Sequence, residues 1–173
     1  MKNNNIGEQV LTQEQIQVGV KVVAEQLNQK FSGEVVVITV VPGGILFAAD
    51  LVRQLKFDLC MDTISCPHTP GDRINKSDIL YQQNINIKDK HVIVIDDAIE
   101  SGGTMKRLIA YLSEGFAVKS LSVATLFVKS KRVNIAVPQH FAYELESDDL
   151  LVGYGLPWNN LSRNNPFISK VIR

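Results

Sequence analysis

A chain of 173 residues with 45% hydrophobic side chains is long enough for one α/β domain with a full core. Eighteen basic residues balance eighteen acidic ones, so nothing in the charge calls for a nucleic-acid or membrane-surface partner. The apolar runs 35–41, 92–95 and 121–128 are too short to span a bilayer, and Met1-Lys2 followed by three asparagines lacks the apolar stretch of a secretory signal. Cys60 and Cys66 form neither a C-x-x-C pair nor a Cys/His cluster, so two free, buried or half-buried thiols in a cytoplasmic protein are expected.

Residues 12–15, Thr-Gln-Glu-Gln, have the form of a capping box. The spacing behind it predicts a helix with Ile16, Val20, Val23, Ala24 and Leu27 on one face, ending near Phe31-Ser32-Gly33. The β-branched run 34–41 predicts a central parallel strand. Pro42-Gly43-Gly44 then turns the chain into a helix over 45–55 carrying Leu46, Ala49, Leu51, Val52 and Leu55. Backbone N–H groups of such a turn, between strand and helix, form an anion site. A weaker strand is expected at 59–65. Residues 66–78 hold two prolines, a glycine and no apolar period, which predicts a mobile loop, with 79–83 returning as the second arm of a hairpin.

The most informative stretch is 91–104, H-V-I-V-I-D-D-A-I-E-S-G-G-T. Val92, Ile93, Val94 and Ile95 read as a strand buried on both faces, ended by the adjacent carboxylates of Asp96 and Asp97. Ser101-Gly102-Gly103-Thr104 opens a helix whose Met105, Leu108, Ile109 and Leu112 fall at i, i+3, i+4 and i+7, with Gly115 as its stop. N–H groups of a glycine loop at a helix N-terminus carry partial positive charge and take a phosphate, while Ser101 and Thr104 add hydroxyl donors. Asp96 and Asp97 cannot bind the phosphate, but they accept hydrogen bonds from sugar hydroxyls, directly or through Mg²⁺. A strand follows at 119–128, then short strands at 142–144 and 149–152 in a small, irregular C-terminal part.

Strands alternating with helices predict an α/β fold: a central parallel sheet flanked by helices, with the polar loop as a lid and the C-terminal part as a small hood over the strand ends. A single domain over 1–173 is expected, with its core at about 34–130 and its hood at about 131–173 together with the N-terminal segment.

Residues 92–104 resemble the PRPP (phosphoribosyl pyrophosphate) motif of type I phosphoribosyltransferases: an apolar run, two acidic residues, two mostly apolar ones, an acidic residue and a Thr/Ser-Gly-X-Thr loop. Glu100 stands where the family usually has Asp. Val41-Pro42-Gly43-Gly44 resembles the pyrophosphate loop of the hypoxanthine-guanine branch, with Pro42 replacing a basic residue. The family often has a cis peptide there, so a cis Val41–Pro42 bond is expected. Residues 150–156, followed by Arg163, resemble the branch's Phe-Val-Val-Gly-Tyr-Gly-Leu and its later Arg. Leu150 replaces the purine-stacking aromatic, and Pro157 replaces an Asp that helps hold Mg²⁺. The loop departs most: Ser65-Cys66-Pro67-His68 stands where the family has Ser-Tyr, leaving His68 and Arg73 as further candidates for pyrophosphate.

The resemblance, which covers roughly residues 34–173, implies a purine-salvage enzyme. It would move the 5-phosphoribosyl group from PRPP to a purine base, giving a nucleoside monophosphate and pyrophosphate. In that scheme Asp96, Asp97, Ser101, Gly102, Gly103 and Thr104 bind the ribose and its 5-phosphate, and Pro42, Gly43, Gly44 and Arg163 bind pyrophosphate. Lys129 takes the purine 6-oxo group, Leu150 packs on the ring, and Leu151 reads its edge by backbone. Glu100 takes the N7 proton. Mg²⁺ is the implied cofactor, reaching Asp96 and Asp97 through ribose hydroxyls or water, and a homo-oligomer, dimer or tetramer, is expected. Taken alone, Lys129 and Arg163 would read as surface cations. Two alternatives stay open: a regulatory protein that binds PRPP or a nucleotide, its chemistry weakened by the departures at Pro42, Pro67, Glu100, Leu150 and Pro157, and a transferase for a non-standard base.

Overall fold

The computed structural model describes residues 6–67 and 77–172. Its elements run β1 (Ile6–Leu11), α1 (Gln13–Lys30), β2 (Val35–Val41), α2 (Ile45–Val52), β3 (Leu59–Ser65), β4 (His91–Ile95), β5 (Ala98–Ile99), α3 (Gly103–Gly115), β6 (Ser120–Lys129), β7 (Gln139–Leu145), β8 (Leu151–Val152) and β9 (Ile168–Val171). The central sheet is parallel throughout: β3 pairs with β2, β2 with β4, and β6 with β4, β5 and β7.

β5 continues β4. Ile95 stands opposite Ala124 and Ala98 opposite Phe127, so the register against β6 is the same on both sides of Asp96-Asp97. The ladder runs through the break, because Asp96 N–H donates to Ala124 (3.2 Å) and Leu126 N–H donates to the Asp97 carbonyl (3.1 Å). Beyond β2 the chain goes to β3 on one side, and beyond β4 to β6 on the other. The order therefore reverses between β2 and β4, the place where open α/β sheets bind ligands outside their strand ends.

Period-2 alternation assigns the two faces. Val35, Val37, Ile93 and Ile95 pack with α1 and α2, whereas Val36, Ile38, Val40, Val92 and Val94 pack with α3 through Met105, Leu108, Ile109 and Leu112. α1 starts as expected: the Thr12 hydroxyl accepts from Gln15 N–H (3.1 Å) and the Gln15 side chain accepts from Thr12 N–H (2.8 Å). Its buried face holds Ile16, Val20, Val23, Ala24 and Leu27.

Three expectations are corrected. In α2 the buried residues are Phe47, Ala48 and Leu51, while Leu46 and Ala49 face outward. Apart from Asp50 every residue of that helix is apolar, so spacing could not choose its inner face. The strand expected at 142–144 is the middle of β7, which joins the central sheet instead of the C-terminal part. Among the described residues the returning arm at 79–83 makes one antiparallel bridge, Leu80 with Ser65.

The hood is a three-stranded sheet in the order β1-β9-β8. It shares the core on the α1–α2 side through Leu151, Tyr154, Leu156 and Ile168. Tyr154 also donates to Asp50 of α2 (2.6 Å), pinning hood to core; burial, with Asp50 beside it, holds the phenol protonated. Among the described residues no helix is long and apolar enough to cross a membrane. Residues 68–76, with most of the expected mobile loop and with His68 and Arg73, lie outside the described residues.

Candidate active site

The Val41–Pro42 bond is cis, as expected. Gly44 N–H bonds back to the Val40 carbonyl (2.8 Å), which folds the turn against the sheet. Space at Gly44 admits only glycine. A Cβ on Gly44 would lie 2.9 Å from the Ile95 carbonyl oxygen and from the Asp96 Cα, and one on Gly43 would lie 2.9 Å from Asp97 Oδ2.

The hood closes on the same carboxylate. Gly155 has φ +105, and a Cβ there would meet the Gly43 carbonyl at 2.3 Å and Asp97 Oδ2 at 2.9 Å. Asp97 thus sits where the turn after β2, the break after β4 and the hood converge. Arg163 holds the hood's side: its Nη1 donates to the Gly155 carbonyl (2.6 Å), while Gly155 N–H donates to the Arg163 carbonyl (2.9 Å).

Burial raises both carboxyls. Asp97 is pushed up to about 6, and the charge of Glu100 adds to the effect. Asp96 is pushed well above the usual carboxylate range by burial and by Asp97 beside it. The Arg163 guanidinium works against both shifts. Asp97 buried and Asp96 half-buried, both in this state, call for donors or a cation on their open side. No group of three or more His, Cys, Asp or Glu able to cage a metal exists among the described residues.

Beyond the break, Gly102 takes the left-handed conformation (φ +82) and α3 begins at Gly103 with no acidic residue in its first turn. The helix N-terminus is left open to an anion. Ser101 is exposed, and its carbonyl accepts from Val133 N–H (2.9 Å), which steadies the loop from the chain after β6.

Lys129, the last residue of β6, is buried (8% exposed), not solvated as it would read alone. Its Nζ donates to the Asp149 carbonyl (2.7 Å) and lies 3.1 Å from Glu100 Oε1. Leu150, next to Asp149, is half-buried, but the Leu151 side chain is packed in the core, so only its backbone is left to meet a ligand. The structure thus brings Pro42, Gly43, Gly44, Asp96, Asp97 and Arg163 together, with Glu100 and Lys129 beyond the break and the loop of Ser101, Gly102, Gly103 and Thr104 at the start of α3.

Sequence reasoning missed some parts. The Asp149 carbonyl carries no side-chain signal. Asp62, buried on β3, accepts from Tyr81 hydroxyl (3.2 Å), Asn84 N–H and Nδ2 (both 3.0 Å) and Ile85 N–H (3.3 Å), holding the arm that returns to β4. A lone carboxylate in the middle of a strand, the one charged residue of β3, was the available hint.

Comparison with known proteins identifies the fold and the family. The model of the phosphoribosyl transferase domain matches residues 7–156. A hypoxanthine-guanine phosphoribosyltransferase of Staphylococcus aureus is 30% identical over 169 residues, 96% of this chain and 94% of that protein. The crystal structure of a hypoxanthine-guanine phosphoribosyltransferase from Bacillus anthracis superposes with a TM-score of 0.86 at 34% identity, covering 98% of this chain and 99% of that one. A hypoxanthine phosphoribosyltransferase of Trypanosoma cruzi, 21% identical, shares the fold with a TM-score of 0.82, covering 97% of each chain. This chain belongs to the phosphoribosyl transferase family, in its type I, hypoxanthine-guanine-like branch.

Proposed function

We propose that the protein transfers the 5-phosphoribosyl group of PRPP to a 6-oxopurine, hypoxanthine or guanine, releasing pyrophosphate. The observation that supports this reading is the convergence on Asp97: Gly43 and Gly155 both approach its carboxylate, Gly155 as only a glycine can, and the α3 N-terminus opens just beyond.

In this scheme the 5-phosphate docks on Ser101, Gly102, Gly103 and Thr104, while Asp96 and Asp97 accept hydrogen bonds from the ribose hydroxyls. The turn at Pro42-Gly43-Gly44 and the cation of Arg163 face the pyrophosphate. The bond from C1 to pyrophosphate breaks as the purine nitrogen bonds to C1, and Glu100 takes the N7 proton. Lys129 donates to the 6-oxo oxygen. Catalysis rests on positioning and on charges set before the reaction begins. Asp96 and Asp97 would face Mg²⁺ through ribose hydroxyls or water, and the ion's chemistry would be to neutralise charge on the leaving pyrophosphate. We place the transferase in the cytoplasm as a homo-oligomer, dimer or tetramer, a state that light scattering measures.

Incubation with PRPP, Mg²⁺ and a panel of purine bases tests the proposal. Formation of inosine or guanosine monophosphate is expected. Turnover of a different base alone would make it a transferase for that base. Nucleotide binding without turnover of any base would identify a sensor that has kept the fold.

A further inference from the structure

The geometry points to Arg107 as a positioning residue that clasps the stem of the 68–76 segment and ties it to the anion site at the start of α3. Arg107 lies on the second turn of that helix, three residues beyond Thr104 and so on the same side as the phosphate loop. Its Nη2 donates to the Ser77 carbonyl (2.7 Å) and its Nη1 reaches the Cys66 sulfur (3.7 Å). The two sides of the stem are also joined directly. The Ser77 hydroxyl donates to the Pro67 carbonyl, Cys66 Sγ lies 3.8 Å from Ser77 Oγ, and Ser65 and Leu80 exchange two backbone hydrogen bonds (2.9 and 2.8 Å).

One guanidinium thus closes the stem where the chain leaves β3 and where it comes back. A planar fork with several donors can hold two partners in fixed directions; an ammonium would hold one. The stem itself is tied to the other anion loop. Ser65 stands opposite Val41 in the β2–β3 pairing, immediately before Pro42-Gly43-Gly44. Through Arg107 on one side and the β2–β3 pairing on the other, the stem is joined to both loops proposed to take the two ends of PRPP, a link that rests on the transferase reading. It also accounts for Cys66, which replaces the family's Tyr at the loop: the thiol is turned inward, 5% exposed, against Arg107.

The clasp is tested in the full chain carrying Cys60→Ser, which leaves Cys66 as the sole thiol of the two in the sequence. The probe is an aromatic disulfide whose reaction with the thiol is followed by absorbance. R107Q should speed labelling of Cys66 roughly 10- to 100-fold, the factor expected when a hydrogen bond from a charged group no longer opposes local opening. R107K should fall between, since an ammonium can keep the Ser77 contact alone. In turnover, R107Q should raise KM for PRPP about tenfold and leave KM for the purine unchanged, a split that general loosening of the fold would not give. Equal labelling with and without R107Q would overturn the clasp. Faster labelling with an unaltered KM for PRPP would overturn its tie to the anion site. Should R107Q not fold, R107K carries the same readouts. An unsubstituted chain that turns over no purine would overturn the transferase reading and the tie, while the labelling, which needs no ligand, still decides the clasp.

Discussion

Lys129 Nζ lies 3.1 Å from Glu100 Oε1 while donating to the Asp149 carbonyl at 2.7 Å. One ammonium therefore joins the strand end, the loop after the break and the edge of the hood. The contact gives the glutamate, which stands where the family usually has an aspartate, a partner in the folded chain. The extra methylene lets the carboxylate reach Lys129, so the two groups proposed to face neighbouring atoms of the purine meet each other in the ligand-free protein.

If Glu100 takes the purine proton, Glu100→Gln should lower turnover by about 10²–10⁴-fold and leave PRPP affinity nearly unchanged. Steady-state turnover beside a calorimetric PRPP titration measures both. A rate within a few-fold of the unsubstituted protein would mean that Glu100 only partners Lys129.

Gly155→Ala should weaken the binding of PRPP. The new Cβ would sit 2.3 Å from the Gly43 carbonyl and strain a backbone at φ +105. Relief means pushing the hood from the turn after β2, and about 1.4 kcal/mol of lost binding would raise KM for PRPP about tenfold. Gly33→Ala is the control: its φ is +82 but nothing lies within 4 Å, so it carries backbone strain without the collision. Equal KM values in the two variants would contradict the argument.

Asp97→Asn should stabilise the ligand-free protein at neutral pH and abolish turnover. The folded state raises the Asp97 carboxyl from 3.8 to about 6, so it holds the proton more tightly than the unfolded chain does. The stability linked to that proton is complete below about pH 4 and lost as pH rises through about 6. Removing the charge should recover on the order of 1 to 3 kcal/mol at pH 7, read as a higher Tm, with little gain at pH 4. A Tm lowered at pH 7 would sink this account.

Asp62→Ala should destabilise by about 2–4 kcal/mol, because several donors, backbone N–H groups among them, lose one buried acceptor. Burial alone would raise the Asp62 carboxyl, but hydrogen bonds from Asn84, Thr63 and Ile85 hold it below its ordinary value. Its contribution is thus present above about pH 4 and lost as pH falls through the lowered value. Urea unfolding at pH 7 and pH 3 should show a smaller difference between variant and parent at the lower pH.

Local pattern made much of this molecule legible. β3 matches the strand expected at 59–65, and the capping box at Thr12 and the apolar face of α3 lie where the spacing put them. These features are set by neighbours within a turn or a strand. β1 was missed because half its surface is open and its partner, β9, lies at the other end of the chain. The contact of Lys129 with Glu100 and the meeting of Gly43 with Gly155 are likewise long-range, and period alone cannot express them. The resemblance named most of the site's residues, but not Asp62, Arg107 or the carbonyl of Asp149.

The break between β4 and β5 has a fixed length. Since pairing with β6 resumes in unchanged register after Asp96-Asp97, those two residues fill a slot that admits no third. A single insertion or deletion there would turn Ala98 and Ile99 to opposite faces of the sheet and move the loop at 101–104 by one residue against β6. Side chains at 96 and 97 can change with the sheet undisturbed; their number cannot. The spacing between the acid pair and the loop at 101–104 is therefore locked by the sheet itself.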